Sequence, residues 1–173
     1  MEYWDIYDDE RNKTGKTIAR SNRDDLSNNE NHIAMHVAIF NSKGEMLLQR
    51  RSMNKQDDPG KWDFSSRGSI LMGEKSQDGA HRETLEELGI DYDFSNIEPV
   101  FTMKYPNVFD DYFIVKIDVD INDIVIQKEE LDSVMWATED KVIDLINKEE
   151  FAIKKVDFMK HIFELYKEIK WRN

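Results

Sequence analysis

The sequence predicts a layered α/β or α+β domain, in which a β-sheet packs against helices. The segment HIAMHVAIF, residues 32–40, is almost continuously apolar, as expected of a strand that is buried on both faces. Residues 76–88 have the end signals of a helix, and the end of the chain repeats apolar residues at helical spacing. Strands therefore surround one central helix, and further helices follow at the end.

Strand and loop patterns alternate along the first part of the chain. The segments EYWDIYD and GKTIAR flank the polar turn DERNKT and predict a hairpin or two short strands. The polar residues 21–31 predict a loop. After the buried strand, a turn at residues 41–44 leads into the strand EMLLQRR. Residues 52–62 predict a loop, because Pro59 and Gly60 interrupt regular structure.

The central helix is predicted over residues 76–88, since Ser76 can cap its start and Gly89 can end it. Residues 109–121, FDDYFIVKIDVDI, alternate apolar and polar side chains and predict a strand with one buried face. Residues 133–138, SVMWAT, predict a further strand.

Two helices are predicted to end the chain. Thr138 can cap a helix over EDKVIDLIN. A last helix carries apolar residues on one face, which predicts a core or an interface: Met159, Ile162, Phe163, Tyr166 and Ile169.

The size and composition predict one domain over residues 1–173. The chain is 39% hydrophobic and 35% charged, so it has enough large side chains for a core. Within this domain, residues 1–30 form the N-terminal hairpin and loop, and residues 139–173 form the C-terminal helices.

Charge and cysteine content exclude several classes of function. The formal net charge of −12 disfavours general nucleic-acid binding, but it permits a phosphorylated small molecule if a metal ion or local cations reverse the field. The absence of Cys excludes disulfides, thiolate zinc sites and cysteine nucleophiles. No apolar signal segment and no membrane-spanning run is present, so a cytoplasmic protein without a membrane partner is expected.

The predicted central helix gathers glutamates on one side. Glu83 and Glu87 are one helical turn apart, and Glu86 lies close to the same side. Their repulsion destabilises a helix, whereas a shared Mg²⁺ or Mn²⁺ would turn it into coordination. We expect the other side, which carries Thr84, Leu85 and Leu88, to pack on the sheet.

A glutamate-rich helix is more often a solvated surface, and Arg82 with Glu86 could form an ordinary ion pair along the helix. The spacing of residues around this helix favours a functional site over a solvated surface. Five residues separate Gly68 from Glu74, seven separate Glu74 from Arg82, and Glu86-Glu87 and Gly89-Ile90 follow at fixed intervals. By this full pattern the chain resembles the Nudix hydrolases, with one departure at Thr84, where the family usually has an aliphatic residue.

The resemblance implies metal-dependent hydrolysis of a diphosphate in a small molecule, typically a nucleoside diphosphate linked to another group. It implies an α/β/α sandwich with a central mixed sheet, in which the signature forms a loop–helix–loop that binds Mg²⁺ or Mn²⁺. Glu83 and Glu87 match the principal metal ligands. Glu86 matches a further ligand or the base that deprotonates water, and Arg82 and Glu74 match a pair that orients the carboxylates.

Some relatives use an acidic residue outside the signature, and Glu130 is preferred to Glu129 for that role by its spacing from Trp136. Residues 2–138 also resemble the branch of the family that is related to isopentenyl-diphosphate isomerase. In that branch, basic residues that bind the diphosphate match Arg51 and Lys55. The alternative for Arg51 is a charge at a strand edge that faces solvent.

An isomerase is the first alternative function. The isomerase needs a cysteine just before Gly68, where this chain has Arg67, and a metal-binding histidine where it has Ser69. His32 matches a second metal-binding histidine of the isomerase, but a lone histidine in an apolar strand is more often structural. The isomerase is therefore disfavoured. We expect Arg67 to contact substrate phosphates, since a guanidinium suits bidentate phosphate binding.

A non-catalytic nucleotide sensor is the second alternative, and the complete set of signature glutamates disfavours it. The groups attached to the diphosphate are not defined by the signature, and many relatives are homodimers. Three aromatic side chains could stack on a base, although each is more often part of the packing: Trp62, Tyr105 and Phe109.

Overall fold

A mixed seven-stranded sheet separates two hydrophobic cores. The computed structural model describes residues 1–171. The strands are β1 (Tyr3–Tyr7), β2 (Lys13–Ala19), β3 (His32–Phe40), β4 (Met46–Arg51), β5 (Trp62–Asp63), β6 (Ser66–Ser69), β7 (Phe101–Tyr105), β8 (Val108–Lys116) and β9 (Leu131–Ala137). The helices are α1 (Ser76–Leu88), α2 (Glu139–Asn147) and α3 (Val156–Glu168), with short 3-10 helices at Arg20–Asp25 and Ile121–Asp123.

Strand β3 lies at the centre of the sheet. It pairs in parallel with β8 along its whole length and antiparallel with β6, while β7 extends the sheet beyond β8. Strand β4 pairs with β9 and β5. Strands β3 and β4 pair with each other only at Phe40 and Met46, next to their connecting turn. They then diverge, and the candidate site lies at the end where they are apart.

Alternate residues of β3 enter opposite cores. Ile33, Met35, Val37 and Ile39 belong to the core that also contains Ala80 and Leu88 of α1. Ala38 and Phe40 belong to the second core, which α2 and α3 cover. The predicted α/β/α arrangement is thus confirmed, as is the predicted burial of β3 on both faces.

Helix α1 has the predicted bounds, but its start differs in detail. Lys75, not Ser76, is the N-cap residue, and its backbone N–H donates to the carboxylate of Asp78 at 2.8 Å. Gly89 ends the helix at a φ of 67°, a left-handed conformation that glycine adopts without strain. The prediction that Leu85 packs on the sheet is wrong, because its exposed fraction is 42%.

The strand predicted over residues 109–121 ends early, at Lys116. Its partner β3 turns away at Phe40, which pairs with Lys116, so the following residues have no strand to pair with. Ile117 and Val119 still pack on the first core from an irregular segment.

The predicted N-terminal hairpin is formed by β1 and β2, and it is attached to the rest of the fold. The backbone N–H of Met72 donates to Tyr3 O at 2.8 Å, and that of Gly73 donates to the carboxylate of Asp5 at 2.9 Å. The hairpin therefore lies against the loop that precedes α1. Within residues 1–171, every helix is too short or too polar to cross a membrane.

Candidate active site

Helix α1 lies across β6 and turns its acidic side towards the strand. Thr84 is fully buried, and its hydroxyl shares a 2.8 Å hydrogen bond with that of Ser66. Two residues further along β6, a Cβ atom at Gly68 would overlap the carboxylate of Glu83. The glycine therefore lets this carboxylate lie against the strand backbone.

Glu87 is buried, with an exposed fraction of 4%. Its carboxylate accepts a 3.2 Å hydrogen bond from the backbone N–H of Arg67. Burial raises the pKa of Glu87 well above its usual range, and the neighbouring charge of Glu83 raises it further. Burial also raises the pKa of Glu83, although the Arg82 guanidinium offsets part of this effect. Both carboxylates would gain from a nearby cation.

Arg82 links the helix to the loop in front of it. Its guanidinium donates to Glu74 at 2.8 and 3.1 Å and to the backbone oxygen of Ser69 at 3.0 Å. It also donates to Glu83 at 2.6 Å and to Glu86 at 3.4 Å. Glu74 in turn accepts a 2.9 Å hydrogen bond from the backbone of Leu71, so the pair joins loop and helix.

The glutamates of α1 form one wall of a pocket of about 420 Å³. All the signature carboxylates except Glu74 line it, together with the basic residues predicted to bind phosphate: Glu83, Glu86, Glu87, Arg51, Lys55 and Arg67. Glu130 lines it as well. The structure thus brings residues that are far apart in the sequence to one pocket.

Arg51 and Arg67 share the buried carboxylate of Asp63. Arg67 donates to Asp63 at 2.6 Å, and an Arg51 nitrogen lies 4.0 Å from the same oxygen. Arg51 is only 6% exposed, so it is not a solvent-facing charge at a strand edge. Arg67 has an ordinary negative φ, so its backbone is not strained.

Lys55 and Glu130, which both line the pocket, form a direct ion pair. The backbone N–H of Ser52 donates to Glu130 O at 2.8 Å and holds the two segments together. The proposed phosphate-binding lysine and the proposed acidic residue outside the signature therefore neutralise each other in the free protein.

The carboxylates suit a hard divalent cation, although within residues 1–171 no three acidic or histidine side chains converge into a ready-made metal shell. Arg82 draws Glu83 and Glu86 towards itself. Glu87, however, is buried, and the space beside Gly68 accommodates the Glu83 carboxylate. Glu83 and Glu87, with Glu86 beside them, are the residues that could hold a metal.

Several residues that line the pocket, or that lie behind its lining as Asp63 does, were not predicted from the sequence. Asp63 anchors two arginines, and Asp110 lies 3.6 Å from the imidazole of His36. Arg20 and Arg23 enter from the N-terminal 3-10 helix. No local spacing marks these residues, because they meet only in the folded chain. Conversely, the candidate base-stacking residues lie outside the pocket lining: Trp62, Tyr105 and Phe109.

Comparisons with known proteins agree with this arrangement. Residues 30–162 match the family model of the NUDIX domain. An uncharacterized Nudix hydrolase of Listeria monocytogenes is 39% identical over 165 residues, which cover 95% of each chain. An isopentenyl-diphosphate Delta-isomerase of Corynebacterium diphtheriae is 28% identical over 130 residues, 70% of this chain and 71% of that one. The crystal structure of a Deinococcus radiodurans protein superposes with a TM-score of 0.76 at 19% identity, covering 92% of this chain and 98% of that chain.

Proposed function

This chain belongs to the Nudix hydrolase family, whose members hydrolyse phosphoanhydride bonds in small molecules, and we propose that it cleaves a diphosphate with Mg²⁺ or Mn²⁺ held by Glu83 and Glu87. Nudix hydrolases generally need a divalent metal, and the choice between the two ions is part of the proposal. We also assign residues 1–173 to one domain, since Glu2 and Trp4 of the N-terminal hairpin line the same pocket as the glutamates of α1.

The burial of Glu87 beside Glu83 is the observation that carries this proposal. A buried carboxylate that faces another carboxylate is unfavourable unless it is protonated or a cation approaches it. Among residues 1–171, the one hydrogen bond to the Glu87 carboxylate comes from a backbone N–H. If α1 were an ordinary surface helix with glutamates facing solvent, the side chain of Glu87 would be exposed instead.

The other residues have distinct parts in the proposed reaction. A bound divalent ion would neutralise the diphosphate and lower the pKa of water. Glu86 or Glu130 takes the proton from the attacking water, since both line the pocket. Arg82 and Glu74 hold the carboxylates of α1 in place, and they are positioning residues.

Three basic residues bind the substrate in this proposal: Arg51, Lys55 and Arg67. All three line the pocket. Guanidinium and ammonium groups stabilise phosphate oxygens as negative charge develops on them during hydrolysis. The phosphates displace Glu130 from Lys55, which leaves Glu130 free to act.

The isomerase alternative has no support at the site. The chain contains no Cys, and Arg67 occupies the position of the isomerase cysteine with its side chain bonded to Asp63. His32, which matches an isomerase metal ligand, is stacked on Trp4 with the ring centroids 4.1 Å apart.

A panel of diphosphate compounds tests the proposed function. Purified protein is incubated with nucleoside di- and triphosphates, ADP-ribose, nucleotide sugars and isoprenoid diphosphates, with Mg²⁺ or Mn²⁺, and the release of phosphate or mononucleotide is measured. The Glu87→Gln protein is the blank. We expect metal-dependent cleavage by the wild type that the variant lacks. Tight binding of a nucleotide without any cleavage would instead indicate a sensor.

A further inference from the structure

We propose that the substrate carries a second anionic group, separate from the diphosphate that is cleaved, and that Arg20 and Arg23 bind this group. The inference rests on the proposed hydrolysis and adds a class of substrate to it: diphosphates with an additional phosphate or carboxylate. Its basis is the part of the groove that lies beyond the glutamates of α1.

The catalytic pocket continues outward into a larger groove of about 720 Å³. The two spaces share Arg20, Arg23 and Lys55, so they form one continuous depression. The outer part lies between the 3-10 helix Arg20–Asp25 and the loop that follows β4. A ligand whose diphosphate lies at the glutamates therefore has room to extend between these two segments.

Arg20 and Arg23 are accessible from this groove. Their side chains are 49% and 39% exposed, and they pair with Glu2 at 2.7 Å and with Asp57 at 3.1 Å, respectively. Exposed ion pairs of this kind contribute little stability, so an incoming anion can replace the carboxylate at small cost. Guanidinium groups then offer phosphate two parallel hydrogen bonds.

The aromatic rings of the groove have little free surface for a nucleobase. Trp4 is only 2% exposed and is stacked on His32, and the His36 ring is stacked on Tyr112 with the centroids 4.7 Å apart. Among residues 1–171, Trp4 is the one Trp, Tyr or Phe that lines either part of the groove. The groove therefore selects its ligand by charge more than by stacking.

The outer groove offers cations on a chain that is mostly acidic. With a formal net charge of −12, the protein repels anions over most of its surface. Four cations line the outer groove beside five carboxylates: Arg20, Arg23, Arg51 and Lys55, with Glu2, Asp24, Asp57, Glu129 and Glu130. A second anionic group of the ligand would replace Glu2 and Asp57 as the partners of Arg20 and Arg23.

Pairs of compounds that differ in a distal phosphate test the inference. The values of kcat/KM are measured for coenzyme A and 3′-dephospho-coenzyme A, and for NADP⁺ and NAD⁺, which differ only in the 2′-phosphate. Wild-type protein is compared with the Arg20→Gln/Arg23→Gln double variant. Lys160→Gln, which removes an exposed positive charge from α3 outside the groove, is the matched control. Circular dichroism checks that each variant is folded.

We expect the wild type to prefer the phosphorylated member of at least one pair by about tenfold or more, as charge-assisted hydrogen bonds imply. The double variant should lose most of this preference, and Lys160→Gln should keep it. Cleavage of diphosphates with equal kcat/KM within each pair, or a preference that survives the double substitution, would overturn the inference.

A binding measurement separates this inference from the proposed function. Calorimetric titration of the Glu87→Gln protein with the same compounds requires no turnover. If no diphosphate is cleaved by the wild type, yet binding still depends on the distal phosphate and on both arginines, the anion site stands and the hydrolase proposal fails. If neither cleavage nor selective binding occurs, both fail.

Discussion

The guanidinium of Arg82 donates hydrogen bonds to both carboxylate oxygens of Glu74, at 2.8 and 3.1 Å, and leaves its remaining nitrogen for Glu83 at 2.6 Å. Arg82 thereby fixes one proposed metal ligand relative to the loop in front of α1. A lysine keeps the positive charge but has no planar fork, so it cannot make these contacts together.

Arg82→Lys should therefore weaken metal binding while the fold is retained. We expect the Mg²⁺ concentration for half-maximal activity to rise by about 10- to 100-fold, as is typical when a residue that orients a metal ligand is lost. Arg50→Lys, an exposed arginine on β4, is the matched control. An unchanged metal requirement in Arg82→Lys would show that Arg82 does not position Glu83.

Gly68→Ala should displace the carboxylate of Glu83, because the added methyl group occupies the same space. The φ of Gly68 is not in the left-handed region, so alanine adds steric conflict without backbone strain. We expect a loss of about 1–3 kcal/mol in the free energy of unfolding, typical of overpacking, and a strong fall in kcat/KM.

Gly73→Ala provides the contrasting control for this substitution. Gly73 has a φ of 88° and no neighbouring atom within 4 Å of an added Cβ. It should lose stability through backbone strain but keep most of its activity. Equal activity of Gly68→Ala and wild type would contradict a role for Glu83 beside the strand.

The stability of the metal-free protein should fall as the pH rises above about 4.5, the ordinary value for a glutamate. Burial, followed by the charge of Glu83, raises the pKa of Glu87 in the folded state. The folded protein then binds more protons than the unfolded chain between the ordinary and the raised pKa values. The contribution of this group is thus fully present at low pH and is lost as the pH rises through that interval.

Glu87→Gln should remove this dependence. At neutral pH and with chelator present, we expect the variant to be more stable than wild type, because a neutral amide avoids the cost of a buried charged carboxylate. Saturating Mg²⁺ should stabilise the wild type alone. Urea unfolding at several pH values measures both effects, with Glu168→Gln on α3 as an exposed control. If the free energy of unfolding changed with pH in the same way for wild type and Glu87→Gln, the raised pKa of Glu87 would not contribute to stability.

The Lys55–Glu130 ion pair should give different kinetic effects for its two members. Lys55→Gln is expected to raise KM for the diphosphate by about tenfold, because a charged contact to phosphate is lost. Glu130→Gln is expected to lower kcat by about 10²-fold or more if Glu130 is the base. Steady-state kinetics at saturating metal measure both values, and the double variant shows whether the effects are coupled.

Glu86→Gln is the companion variant for Glu130→Gln. A large loss of kcat in Glu86→Gln together with near-normal kcat in Glu130→Gln would assign the base to Glu86. Near-normal KM in Lys55→Gln would exclude this lysine from substrate binding.

The sequence predicts those elements that have strong local signals. Helix α1 was predictable because Gly89 marks its end, and β3 was predictable because its residues are almost continuously apolar. Strand β6 was not predictable, because its sequence SRGS is short and polar. Its extended conformation depends on pairing with β3. The residues beyond Lys116 were wrongly predicted as strand. Their apolar and polar side chains still alternate, but no partner strand remains for them to pair with.

The candidate site also contains residues that the sequence marks and residues that it does not. The glutamates of α1 are marked by their spacing, so their common location could be predicted. The role of Arg23 could not, because its partner Asp57 lies on a distant segment. Asp63 and Arg67 are only four residues apart, but they lie on the short strands β5 and β6, which the sequence does not mark. The ion pair between Lys55 and Glu130 also forms only in the folded chain, so their spacing in the sequence does not reveal it.

The most direct test of the account is the binding of Mn²⁺, followed by electron paramagnetic resonance, to wild type and to Glu87→Gln. We expect a saturable Mn²⁺ site in the wild type, and an affinity at least about 100-fold weaker in the variant, where a neutral side chain replaces a buried charged ligand. Equal affinity of the two proteins for Mn²⁺ would contradict the claim that the buried side of α1 holds the metal for diphosphate cleavage.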